Sequence, residues 1–90
     1  MRIIAICRPA AGVDPARLGT RLGAESTALQ ALAAKGSLLE AYTLDVPGAI
    51  LILECRDQQE AARCVSQLPL LVAGLIDVEI SALHPMPLGA

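Results

Sequence analysis

Two short runs constrain this chain more than anything else in it: "RIIAICR" at 2–8 and "AILILEC" at 49–55. The first is rich in β-branched residues, and each places apolar side chains on both sides of an extended strand. In the first, Ile3, Ala5 and Cys7 share one side and Ile4 and Ile6 the other, while the second is apolar at its first five positions. Strands of this kind argue for cover on both faces. Ninety residues hold one modest core, so 1–90 is read as a single domain.

The remaining elements fall around these strands. Asp14-Pro15 supplies an N-cap followed by proline at the first helical position. This predicts a helix running to about Lys35 with Gly36 as its terminating residue. Gly19 and Gly23 inside it are read as points of close packing. "SLLEAYTL" (37–44) predicts a second strand, 45–48 a turn built on Pro47-Gly48, and 49–55 the third strand, a hairpin partner of the second. Asp57 and Glu60 have capping-box spacing. Ala61, Cys64, Val65 and Leu68 then form one face of a second helix, which Pro69 helps to stop. "LPLLVAGLI" reads as a nonpolar connection and "DVEISAL" (77–83) as a fourth strand.

The order β-α-β-β-α-β predicts an α+β, ferredoxin-like fold: a four-stranded antiparallel sheet with two helices on one face. The opposite face is then bare and, because the first and third strands are apolar on both sides, hydrophobic. Two copies packed sheet against sheet would cover it, so a homodimer or a higher homo-oligomer is expected.

Composition narrows the function. A net charge of −2 and a single aromatic residue, Tyr42, offer neither a basic stripe nor stacking platforms, so no nucleic-acid partner is expected. Cys7, Cys55 and Cys64 are odd in number and widely spaced, which indicates neither a disulfide framework nor a zinc site. The first apolar run is shorter than a signal h-region and is broken by Arg8-Pro9, and the run 68–76 is far below bilayer-spanning length. A cytoplasmic protein with no membrane partner is the expectation. There is no Gly-rich phosphate loop, no metal-ligand cluster and no nucleophile with a base at a recognisable spacing. What remains is cofactor-independent acid–base chemistry, with no metal, or simple binding of a small molecule.

One residue breaks the helix pattern. Leu18, Leu22, Leu29 and Leu32 mark a single face, and the position that completes the series is Glu25. A carboxylate in a core-facing stripe must find hydrogen bonds, face a polar cavity or take up a proton. Burial raises its pKa toward the range useful for proton transfer near neutrality. Glu25 is therefore a candidate general base or acid, with Tyr42 as a candidate hydroxyl donor in the same pocket and Leu22 and Leu29 as candidate substrate contacts. Arg8 and Arg21 are candidate cations for an anionic group. The competing reading is structural: Glu25 reaches solvent or pairs with Arg21, one turn earlier. His84 is read as a partly exposed, noncatalytic histidine, and Glu79 as solvated or turned into a dimer interface.

The segments "ESTALQALAAKG" (25–36), "EAYTLDVPGAILILECRD" (40–57) and "SQLPLLVAGLIDVEISALHP" (66–85) resemble the muconolactone isomerase-like group of dimeric α+β barrel proteins. The resemblance spans nearly the whole chain and is most specific at "LPL" followed by "LIDVEISAL". It implies a ferredoxin-like dimer and a proton shift within an unsaturated lactone, without metal or organic cofactor. A helical glutamate of the isomerase matches Glu25. Where the isomerase pattern has basic and aromatic residues, this chain has Ser37, Leu38, Leu39 and Glu40, and after "LPL" it has "LVAGLI". The expected pocket is accordingly greasier and less positive, suited to a small, largely apolar lactone or carbonyl compound. The alternative is a noncatalytic binding or scaffold module of the same fold, with "LPLLVAGLI" serving contacts between dimers.

Overall fold

The computed structural model describes residues 1–89. Its strands are β1 (Arg2–Pro9), β2 (Leu38–Thr43), β3 (Ala49–Glu54) and β4 (Ile76–Ala82). They form one antiparallel sheet in the order β2-β3-β1-β4, which puts the two runs that are apolar on both sides at its centre. Helices α1 (Leu22–Ala34), α2 (Gln58–Val65) and the single turn α3 (Pro69–Val72) complete the split βαββαβ, ferredoxin-like pattern.

The core lies between the sheet and the helices. Ile3, Ala5, Cys7, Leu51 and Leu53 point into it from the central strands and meet Leu32, Ala61, Val65, Leu68 and Leu70. The opposite side chains of the same strands, Ile4, Ile6, Ile50 and Ile52, are only half-buried and form an isoleucine patch on the bare face. Charge rims that patch: Arg8 donates to the carboxylate of Glu79 at 3.3 Å, and the amino terminus of Met1 pairs with Glu54 at 2.5 Å.

Three elements depart from the sequence reading. The expected helix from Asp14 is two pieces. Asp14 caps it as anticipated, accepting from Ala16 N–H at 3.0 Å, but Pro15–Arg21 is a 3-10 helix and α1 begins only at Leu22. Gly19 and Gly23 flank this junction with no neighbour within 4 Å of where a Cβ would stand, so they do not serve close packing. At the far end α1 closes as expected: Gly36 takes φ +81, its N–H donates to Ala33 O, and Ser37 N–H donates to Leu32 O.

Pro69 does not stop the second helix. Helix α2 is capped by Asp57, which accepts from Glu60 N–H at 2.8 Å, and ends at Val65, before the proline. Pro69 begins α3, occupying a first-turn position where its missing N–H costs nothing. The third is a bulge in β2: Leu38 faces Leu53 while Glu40 faces Ile52, leaving Leu39 as an extra residue. Every side chain of β2 beyond it is thereby moved to the other face of the sheet.

Candidate functional site

The leucine stripe of the first helix is not uniformly buried. Leu22 is 54% exposed, Glu25 8%, Leu29 half-buried and Leu32 5%. The odd carboxylate is thus among the more enclosed members of its own row. The exposure at Leu22 marks the mouth of a cavity of about 400 Å³ between α1, α3 and the sheet, a volume suited to a small organic molecule. Leu18, Leu22 and Leu29 form one wall, Leu51 and Ala49 the floor, and Leu70 and Ile76 the far side.

Glu25 is held in place from a distance in sequence. Its Oε1 accepts the Leu70 N–H at 3.0 Å across a gap of 45 residues. Leu70 lies in the first turn of α3, where backbone N–H groups have no partner within the helix. The carboxylate therefore caps α3 from outside it. No buried polar side-chain atom among the described residues lacks a partner, so Oε2, which accepts no hydrogen bond, is not fully enclosed, and Glu25 lines the cavity. Burial pushes the Glu25 carboxyl above its ordinary 4.5, with the Leu70 N–H pulling weakly the other way. There is no ion pair between Glu25 and Arg21.

Of the candidate residues, Leu22, Leu29 and Glu25 come together on the cavity wall. Tyr42 does not join them. The bulge at Leu39 turns it onto the isoleucine face, where it is 52% exposed and donates to Glu40. The bond to Glu40 raises its pKa above the ordinary tyrosine value. Arg8 adjoins the cavity, but its guanidinium pairs with Glu79 on the bare face. Arg21 lines a separate groove of about 220 Å³ with Arg17 and Thr20. His84 follows β4 in an exposed position, and Glu79 is exposed in its pair with Arg8.

Residues the sequence did not flag also line the cavity: Cys7, Ser26, Thr43 and Ala49. Cys7 is a buried thiol pushed up to about 11, first by burial and then by the neighbouring charge of Glu25, so it stays protonated at neutral pH. Strand parity places it with Ile3 and Ala5, as expected, but nothing in a lone cysteine signals a cavity. Among the described residues no three His, Cys, Asp or Glu side chains gather where they could hold a metal ion. The site's chemical means are one carboxylate with a raised pKa, a few neutral O–H and S–H groups, and an apolar lining.

No protein-family model matches the chain, and no curated protein matches it. Among solved structures it is similar to 5-chloro-2-hydroxyhydroquinone dehydrochlorinase (TftG) from Burkholderia phenoliruptrix AC1100, in complex with 2,5-dihydroxybenzoquinone. The match has a TM-score of 0.79 at 18% sequence identity and covers 93% of this chain and 94% of that one. At such identity the likeness establishes the architecture: this chain has the α+β, ferredoxin-like βαββαβ fold with a four-stranded antiparallel sheet.

Proposed function

We propose that this protein is a cofactor-independent acid–base enzyme of the muconolactone isomerase-like kind, moving a proton within a small, largely apolar lactone or carbonyl compound. The observation that carries this reading is Glu25: a buried carboxylate on the lining of an apolar cavity, with one oxygen fixed by Leu70 N–H and the other accepting no hydrogen bond. In the proposed step Oε2 removes a proton from a carbon activated by a carbonyl group. The electron pair moves into the enolate, the carboxyl exchanges its proton with solvent, and it then protonates the conjugated carbon. An apolar lining weakens the solvation of both partners and strengthens the field of the carboxylate at the reacting atoms. Similarity of fold to an enzyme named for a chlorinated hydroxyhydroquinone, seen with a dihydroxybenzoquinone, fits a small oxygenated ring as the substrate class.

The test is deuterium uptake by γ-alkyl butenolides in D2O, followed by proton NMR. Wild type is expected to label the position between the carbonyl and the double bond and Glu25→Gln to label it at least about 10²-fold more slowly. Equal labelling by the two proteins would refute the role of Glu25.

The isoleucine face supports a second proposal: two copies pack through Ile4, Ile6, Ile50 and Ile52, with the Arg8–Glu79 pairs at the rim. Sedimentation equilibrium is expected to give a dimer for wild type. Ile6→Asp, which buries a charge in that contact, should weaken association at least tenfold, by roughly 1.4 kcal/mol or more. An unchanged dimer in Ile6→Asp would place the contact elsewhere.

A further inference from the structure

Strand register sets one row of the cavity floor. Cys7 stands opposite Ala49, and Ala49 opposite Thr43, so the three side chains form a line across β1, β3 and β2 on the helix-facing side of the sheet. All three line the cavity. Two inter-strand steps separate Cys7 from Thr43, roughly 10 Å between their Cα atoms. Ala49 in the middle has only a methyl group, which leaves the floor between the ends open. Glu25 lies at the Cys7 end: it is bonded to Leu70 of α3, which packs against β4, the neighbour of β1 on the side away from β2. At the other end is a hydroxyl. The hydroxyls of Thr20 and Thr27 turn back onto Arg17 O and Gly23 O, whereas that of Thr43 makes no hydrogen bond among the described residues.

We infer that Thr43 is a specificity-determining residue whose hydroxyl binds a second oxygen of the substrate, at the end remote from the carbon that Glu25 deprotonates. The inference rests on the catalytic reading of the cavity and names a narrower substrate class: elongated, uncharged, with a carbonyl at one end and a hydroxyl or second carbonyl at the other. Neutrality follows from the lining. The guanidiniums of Arg8 and Arg21 are directed elsewhere, and a substrate carboxylate beside Glu25 would meet a like charge without a cation to offset it. The bulge at Leu39 creates this arrangement, because without the extra residue Tyr42 rather than Thr43 would face the floor.

The experiment compares two butenolides with side chains of equal length, one ending in a hydroxyl and one in a methyl group, by isothermal titration. Wild type is expected to bind the hydroxyl-ended lactone about 3- to 10-fold more tightly, the range of one neutral hydrogen bond. Thr43→Val should erase that preference and Thr43→Ser should keep it, while thermal melts show both variants folded. Glu25→Gln should keep the preference and lose deuterium uptake, since it alters the other end of the site. Equal binding of the two lactones by wild type, or a preference that survives Thr43→Val, overturns the inference. If both lactones bind and are labelled through Glu25 without a preference, only the role of Thr43 falls. If neither binds, the catalytic reading of the cavity falls and takes Thr43 with it.

Discussion

Glu25→Gln is expected to lower the rate of deuterium uptake by about 10²- to 10⁴-fold, the usual contribution of a positioned general base. The substitution separates chemistry from structure because the side-chain carbonyl of glutamine can still accept the Leu70 N–H. Capping of α3 is thereby kept while the base is lost. Stability has a predictable sign. The Glu25 carboxyl is raised above 4.5 in the folded protein, so the folded state holds that proton to higher pH than the unfolded chain does. This contribution to stability is fully present below the unfolded value and is lost as pH rises through the folded one. Relative to Glu25→Gln, wild type should therefore become progressively less stable from about pH 4.5 upward. Urea melts of both proteins at several pH values would measure this difference, and a gap that does not vary with pH would show that burial does not perturb the carboxyl.

Gly48→Ala is expected to destabilise the protein by about 2–4 kcal/mol and to distort the cavity at the same time. Gly48 closes the β2–β3 hairpin with φ +147, a conformation that side chains rarely adopt, and lines the cavity next to Ala49. A Cβ there would stand 2.7 Å from Cys7 O, an atom of the central strand. Neither partner can yield cheaply: Cys7 is fixed in register with both β3 and β4. The chain has to move at the one row that joins Cys7, Ala49 and Thr43. Thermal melts together with lactone titrations should show both losses. A variant with wild-type stability would mean that the hairpin relaxes away from β1.

The sheet was readable from the sequence because β1 and β3 carry a signal that few other structures produce, apolar residues on both alternating sides. Helix α2 was readable from its cap, Asp57 with Glu60, and from Ala61 and Val65 one turn apart. The split of the first helix was not, since leucines at 18 and 22 satisfy an α-helical stripe whichever kind of helix carries the first of them. Pro69 was ambiguous in principle: a residue that cannot continue one helix is also well suited to begin the next. Glu25 stood out as a charge in an apolar row, but its partner is a backbone N–H, which every residue except proline possesses and no sequence pattern identifies. Tyr42 attracted attention as the only aromatic, and an unbroken strand from Leu38 would have turned it inward. One bulged residue reversed that, and Thr43, with nothing unusual about it, took the place.

The bond from Leu70 N–H to Glu25 Oε1 also makes the site observable without any substrate. That amide is a single resonance in a nitrogen–proton correlation spectrum, attached directly to the group whose ionisation governs the proposed chemistry. Its chemical shift should trace the titration of Glu25 and respond when a ligand alters the carboxylate's surroundings. A protein with one aromatic residue offers little to fluorescence or ultraviolet absorption, and this amide supplies the built-in spectroscopic probe that its side chains do not.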